Sequence, residues 1–521
     1  MRKFNVTGLC TPEEDYMVDI SGKIEQIKKL VDERRYFTIN RARQYGKTTT
    51  LNELSKALAD EYIVISLSFQ EMGDESFSSS EEFCLSFIEQ VVNSLQFTSA
   101  SKEFINSWNA DNVKSIKDLT RHITTMSNGN KLVLIIDEVD RTSNNRVFLH
   151  FLAMLREKFL ARKAGRDFTF HSVILAGVYD IKNIKLKMVN EGAYTPTPYE
   201  GKIYNSPWNI AANFTVDMSF NPDEIASMLT EYEKDHKTGM DITNISEEIY
   251  AYTSGYPFLV SRICQCIDEE LECNWTIDGV QQAINTVLLE KNTLFDDISK
   301  NLGNNKELSD LVYDLLIQRS VKPFVIDDPV IDIGAMYGIF QSCDGRVVVS
   351  NKVFELRIIN YYVSKDLRHK KQIPGVLPHE VIRSRRFDME LTLRKFAEHY
   401  EEIYHENDIA FLERHGRLLF LSYLKPLING RGFYHIESQL IDFRRMDIVV
   451  DFGQDQFIIE LKIWDGKAHK EEAYNQLCGY LETKRADVGY LLTFDFRKSG
   501  NKVRIAEWVE VDGKRIFDVT V

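Results

Sequence analysis

Gly46-Lys47-Thr48 stands between an apolar run, YFTIN at 36–40, and a helix-forming run, TTTLNELSKAL. A strand, a loop ending in these residues and a helix together make a phosphate site. The glycine lets backbone N–H groups approach the anion, Lys47 reaches the β- and γ-oxygens, and Thr48 offers a hydroxyl to magnesium at the positive end of the helix. Arg43 and Thr49 flank the tripeptide and are assigned to the same nucleotide contact. The pattern G-x-x-x-x-G-K-[ST] is incomplete, because Arg41 replaces its first glycine, and a bare GKT also arises by chance. KLVLIIDEVD at 131–140 strengthens the reading: an apolar strand ends in Asp137, placed to hold magnesium, and Glu138, placed to polarise an attacking water. The plainer alternative has the two acids capping the next helix. Arg141, Arg146 and Arg156 follow, and any of them can supply the positive charge that a γ-phosphate needs in its transition state.

A second constellation lies near the C-terminus. RRMDIVVDFGQDQFIIELKIW predicts a hairpin about Gly453, with strands near 444–452 and 456–464. Alternation along the second strand puts Ile458, Glu460 and Lys462 on one face and Phe457, Ile459 and Leu461 on the other. Asp447, on the partner strand, comes close to Glu460, and Glu437 offers a further carboxylate just upstream. Carboxylates and a lysine on one face can bind Mg²⁺ and set a water against a phosphodiester. The helix EEAYNQLCGYL carries Gln476 and Tyr480 on adjacent turns of one face. The plain alternative is an edge strand whose charges only face water.

Several elements must position these groups. YFTIN, YIVISLSF at 62–69, KLVLIID and HSVILAGV at 171–178 are continuous apolar runs separated by helical patterns, the rhythm of a parallel sheet covered on both faces. From about 220 to 295 only helical patterns appear, opened by an Asn-Pro turn and acids in NPDEIASMLTEYEKD, and a helical lid is expected there. Between about 300 and 370 the order helix, helix, short hairpin, helix suggests a winged-helix-like linker module, or equally a packing spacer. Basic IRSRR at 382–386 then opens an amphipathic helix, MELTLRKFAEHYEEIYHE.

Composition narrows the class. A chain of 521 residues, 44% hydrophobic and 27% charged, exceeds one ordinary core and belongs to a water-soluble globular protein. No stretch reaches the roughly 18 to 20 apolar residues that span a bilayer, and the N-terminus lacks the apolar core of a secretory signal. Seven scattered cysteines fit thiols in a reducing, cytoplasmic compartment, and Cys264, Cys266 and Cys273 lack a fourth ligand at zinc spacing. A net charge of −14 confines any nucleic-acid contact to a local groove.

YFTINRARQYGKTTTL, LIIDEVD, VILAGVYDIKN and TSGYPFLV together resemble the AAA-like domain allied to STAND ATPases, over roughly residues 1–295. FLERHGRLLFLSYLKPLINGRG, IESQLIDFRRMDIVV, IIELKIW, YNQLCGYL and VGYLLTFDF resemble a PD-(D/E)xK nuclease-like domain, over roughly 385–521. The resemblance implies an α/β fold with a P-loop parallel sheet and a C-terminal restriction-endonuclease-like domain. The boundaries expected are 1–219 for the ATPase core, 220–295 for the lid, 296–370 for the winged-helix-like module and 371–521 for the nuclease-like domain. It further implies ATP and Mg²⁺ as cofactors, Tyr179 or Asp180 as a γ-phosphate sensor, and Pro257 in the Gly255-Tyr256-Pro257 turn as a lid contact; the turn alone explains Gly255 and Pro257 equally well. At the second site it implies Asp447, Glu460 and Lys462 as the core, Glu437 as an additional metal ligand, Gln476 in the helical motif and Glu413 as a further acid. The function expected is an ATP-regulated Mg-dependent nuclease acting on nucleic acid, DNA by the family likeness, in a chain that can form homo-oligomers. The rival is an ATP-driven switch or scaffold whose nuclease-like domain binds a partner without cutting.

Overall fold

The computed structural model describes residues 2–521 except 112, 140–145, 179–207, 318–319, 370–377, 384–385, 404–408, 429–431, 436–447, 454, 465–466 and 496–504. The chain divides into two compact units, one of Met1–Val280 with Asp332–Phe340 and one of Gln281–Ile331 with Gln341–Val521. No described helix is long and apolar enough to cross a membrane.

The first unit opens with a segment whose Lys3 bridges to Asp15, followed by α1 (Ser21–Asp32), β1 (Tyr36–Asn40), α2 (Lys47–Leu58) and β2 (Ile63–Ser68). Next come α3 (Ser80–Leu95), α4 (Lys102–Ser107), α5 (Ile116–Ser127), β3 (Leu132–Asp137), α6 (Arg146–Lys163) and β4 (Ser172–Gly177). Ser79 and Ser115 start α3 and α5 by accepting the free N–H groups of Glu82 and Asp118. The strands form a parallel sheet in the order β1-β4-β3-β2. Ala212 adds a further parallel bridge to Phe37 on the open side of β1. Continuous apolar strands need cover on both faces. Tyr36, Leu134, Ile136 and Leu175 pack with α3, α5 and α6, while Phe37, Ile39, Val133, Ile135 and Ile174 pack with α1 and α2.

Helices then take over: α7 (Pro222–His236), α8 (Ile242–Thr253), α9 (Pro257–Glu269) and α10 (Ile277–Leu289). The Asn-Pro signal is a full capping box, with the Asn221 side chain accepting from Glu224 N–H and the Glu224 carboxylate accepting from Asn221 N–H. Cys264 and Cys266 lie buried in α9, Cys273 is exposed, and all seven cysteines are free thiols.

Further along are α11 (Thr293–Asn304), α12 (Lys306–Leu316), α13 (Pro329–Met336), the hairpin of β5 (Phe340–Cys343) and β6 (Arg346–Val349), and α14 (Lys352–His369). A short helix α15 (Pro378–Val381) precedes β7 (Ile382–Arg383) and β8 (Arg386–Phe387), which pair as a small hairpin. IRSRR therefore does not open the next helix; that helix, α16 (Met389–Ile403), starts after Asp388, whose carboxylate accepts from Leu391 N–H. After α17 (Ile409–Ile428) comes a sheet of β9 (Gly432–His435), β10 (Ile448–Phe452), β11 (Asp455–Ile463), β12 (Val488–Phe494), β13 (Ile505–Val511) and β14 (Lys514–Thr520), with α18 (Lys467–Thr483) crossing between β11 and β12. Its order, β13-β14-β12-β11-β10-β9, puts the E-x-K strand β11 in the interior, parallel to β12 and antiparallel to β10. The edge-strand alternative for Glu460 and Lys462 fails on this point.

Candidate nucleotide site and carboxylate–lysine site

Gly46 caps α2 in the left-handed region at φ +73, a conformation cheap only for glycine. The Lys47 side chain is buried, and its ammonium donates to the carbonyls of Arg41 and Ala42, both at 3.0 Å. Thr48 Oγ1 donates to Asp137 Oδ2 at 2.8 Å, joining the start of α2 to the end of β3. Asp137 Oδ1 accepts from Glu138 N–H at 2.8 Å, and Glu138 itself sits at φ +55, an energetically costly backbone for a non-glycine residue. Hydroxyl and carboxylate side by side, where β3 ends and α2 begins, form a hard-oxygen pair that fits magnesium. Arg41, in place of the first glycine, turns away from this pair: its guanidinium donates to the carbonyls of Asn40 and Val216. Arg43 has an exposed side chain, and its carbonyl accepts from Tyr256 Oη at 2.6 Å. Thr49 Oγ1 accepts from the Cys10 N–H at 3.3 Å, so the N-terminal segment touches α2. Pro257 lies within 3.9 Å of where a Gly46 side chain would start, while Tyr45 packs edge-on against Tyr256 and is pushed up by burial. Arg146 begins α6, and Arg156, farther along it, donates to Asn209. Arg141, Tyr179 and Asp180 lie outside the described residues.

In the second unit the hairpin turns at Gly453, φ +61, with Ile448 opposite Ile459. Ile458 packs against Ala473, Leu477 and Leu481 of α18, so the face it shares with Glu460 and Lys462 is the helix-covered one. Glu460 is 1% exposed. Its Oε1 lies 3.0 Å from the Lys462 ammonium, which donates to Gln476 Oε1 at 2.8 Å. Thus strand alternation and the helix bring Glu460, Lys462 and Gln476 into one bonded set, and Tyr480 is buried on the same helix. Asp447 is the residue immediately before Ile448; it and Glu437 lie outside the described residues, as does the side chain of Glu413. No group of three or more metal-ligating side chains occurs among the described residues. Sequence reasoning missed Asp518 of β14, whose carboxylate lies 2.6 Å from the Lys470 ammonium and accepts from the Tyr474 hydroxyl. Burial and that carboxylate push Tyr474 well above the usual tyrosine range. The only advance signal was a charge interrupting the apolar run RIFDVTV.

The sequence model of the AAA-like domain family matches residues 23–355. The chain belongs to the AAA-like domain family. That of the PD-(D/E)XK nuclease superfamily matches residues 433–505, which contain the Glu460–Lys462–Gln476 set. Among solved structures, this AAA-like protein is similar to a Walker-type ATPase of Pyrococcus abyssi, with 13% identity, TM-score 0.45, and coverage of 68% of this chain and 99% of that one. It is also similar to the Aeropyrum pernix ORC2 protein in ADPNP–ADP complexes, with 12% identity, TM-score 0.36 and coverage of 70% and 98%. A third is the Aeropyrum pernix ORC1 protein in complex with DNA, with 10% identity, TM-score 0.30 and coverage of 67% and 94%. No curated protein sequence matches the chain.

Within the AAA-like domain, strand order explains how distant residues meet. β4 lies between β1 and β3, and the Gly177 carbonyl at its end accepts from Arg41 N–H. The phosphate loop and Asp137 therefore open onto the same edge, the carboxyl ends of the strands, where ligands of open α/β sheets bind.

Proposed function

We propose that the chain hydrolyses ATP at Lys47, Thr48, Asp137 and Glu138, and that this nucleotide state governs a Mg-dependent phosphodiesterase built on Glu460, Lys462 and Gln476, with Asp447 and Glu437 as further ligands. The observation that carries the reading is the Glu460–Lys462–Gln476 set, a buried carboxylate on an interior strand paired with a half-buried lysine that a helix amide holds. Burying a carboxylate such as Glu460 is costly, and active sites are where such arrangements concentrate. At the first site Lys47 holds the β- and γ-oxygens, Thr48 and Asp137 hold magnesium, and Glu138 takes a proton from the attacking water. At the second, Lys462 stabilises charge gathering on the phosphate oxygens, Gln476 keeps the ammonium in place, and Glu460 orients the water. Bound magnesium would lower the pKa of its water and neutralise phosphate charge at both sites.

DNA is the favoured substrate, as the nuclease superfamily match suggests. The order α12, α13, β5, β6, α14 supports a winged-helix-like module near 296–370, between an ATPase core at 1–219 with a helical lid at 220–295 and a nuclease-like domain at 371–521. Relation to STAND ATPases, homo-oligomer formation and a cytoplasmic location belong to the same reading. The net charge of −14 favours a second reading, a nucleotide-driven switch whose nuclease-like domain holds a partner without cutting. Incubating purified protein with single-stranded DNA, double-stranded DNA and RNA, in Mg²⁺ or Mn²⁺ with and without ATP, separates the two. Cleavage that requires metal and disappears in Glu460→Ala while ATP turnover persists is the expected result; no cleavage of any substrate in any nucleotide state refutes it and favours the switch or scaffold.

A further inference from the structure

We propose that Asp518 is a positioning residue of the carboxylate–lysine site, holding α18 through Lys470 and Tyr474 so that Gln476 stays on Lys462. Glu460 is in register with Leu491 of β12, and Leu491 with Asp518 of β14, so the three side chains share the helix-covered face. One end of that face is apolar, where Ile458, Leu491 and Ile516 meet Ala473, Leu477 and Leu481. The other is polar: Lys462 is in register with Thr493, and Thr493 with Thr520. Asp518 is fully buried, with Oδ2 taken by Lys470 and Tyr474. Among the described residues, its Oδ1 and Thr520 Oγ1 have no hydrogen-bond partner.

A well-packed apolar side chain would fill this space without desolvating a charge. What the carboxylate adds is direction. An apolar patch lets a helix slide or roll, whereas Lys470 and Tyr474, four residues apart on one helical face, fix both its rotation and its axial position on β14. Gln476 belongs to the same helix, and its bond to Lys462 depends on that setting.

The proposal rests on the nuclease reading, and amine labelling of the full chain, read by mass spectrometry at Lys462, separates the two. In Asp518→Asn and in the milder Tyr474→Phe, Lys462 is expected to react several-fold faster than in wild type, as in Gln476→Ala, while Lys47 reacts at its wild-type rate. If wild type cuts DNA, kcat falls in both variants and KM holds. Faster labelling without any wild-type cleavage sinks the nuclease reading but leaves Asp518 as the positioning residue. Unchanged Lys462 labelling in a folded variant overturns the proposal, whatever happens to the melting temperature. Should Asp518→Asn fail to fold, Tyr474→Phe, which removes one hydroxyl, decides alone.

Discussion

Gly255→Ala tests how the Gly255-Tyr256-Pro257 turn supports the phosphate loop. Gly255 sits at φ +70, and a β-carbon built there would lie 1.8 Å from the Phe220 carbonyl oxygen and 2.7 Å from its carbon and nitrogen. Carbon–oxygen contacts rest near 3.3 Å, so the two backbones must part by about 1.5 Å. The Phe220 N–H donates to the Gly255 carbonyl at 2.8 Å, and separation breaks that bond. The left-handed backbone costs an alanine about 1–2 kcal/mol and the lost hydrogen bond about 1 kcal/mol, or about 2–3 kcal/mol together before any residual clash. For a unit of this size that lowers the melting temperature by roughly 6 °C or more. Tyr256 and Pro257 move with the turn; Tyr256 donates to the Arg43 carbonyl, and Pro257 borders the space a side chain at Gly46 would enter. The ATP dissociation constant should therefore rise about tenfold, equivalent to about 1.4 kcal/mol. Gly129→Ala is the control: at φ +82 with nothing within 4 Å, it meets only the backbone penalty. Scanning fluorimetry and titration with a fluorescent ATP analogue read both quantities. Equal melting temperatures for the two variants, with ATP affinity unchanged in Gly255→Ala, would refute this reasoning.

Lys47→Ala should abolish ATP turnover, whereas Glu138→Gln should keep nucleotide binding and slow hydrolysis by about 10²–10⁴-fold, the range expected when a general base is lost; single-turnover hydrolysis and equilibrium binding of ATP separate the two effects. Lys425 of α17 is pushed down to about 8 by burial and by nearby Arg357, and among the described residues its ammonium donates to the Asn360 carbonyl alone, at 3.5 Å. A folded-state value below the unfolded one makes the charged amine a cost that is complete below pH 8 and relieved as the pH rises toward 10.5. Lys425→Met should accordingly stabilise the protein by about 1–3 kcal/mol at pH 7, and the gain should vanish near pH 10.5, as read from unfolding midpoints across that range.

The parallel sheet was legible because β1, β3 and β4 are buried on both faces, which forces unbroken apolar runs, and because Gly46, Lys47 and Thr48 occupy consecutive positions. Alternation alone gave the common face of Glu460 and Lys462. What escaped depends on pairings remote in sequence. β13 and β14 meet as an antiparallel pair, yet IAEWVEV has a broken alternation and KRIFDVT carries Asp518 where an apolar residue is expected. The Lys470–Asp518 pair joins α18 to β14, so neither residue alone announces the other. IRSRR read as a helix entry because its basic residues suit a solvated helix face, but backbone pairing of Ile382 with Phe387 wins there. The Cys10 contact with Thr49 and the Tyr256 contact with Arg43 use a backbone N–H and a backbone carbonyl, groups that every sequence carries and that no motif marks.

The strand order has a consequence for how the chain is made. β1 leaves the ribosome well before its sheet neighbours, which are β4, pairing Tyr36 with Val173, and the bridge at Ala212. Until those segments emerge, the phosphate loop has no sheet edge to rest on and no Asp137 beside Thr48. Such long-range parallel pairing closes slowly and exposes apolar strands while it waits. On the proposed ATP reading the nucleotide acts as a folding ligand too, since chains that have completed this pairing bind it, and binding draws them out of the pool of partly folded ones.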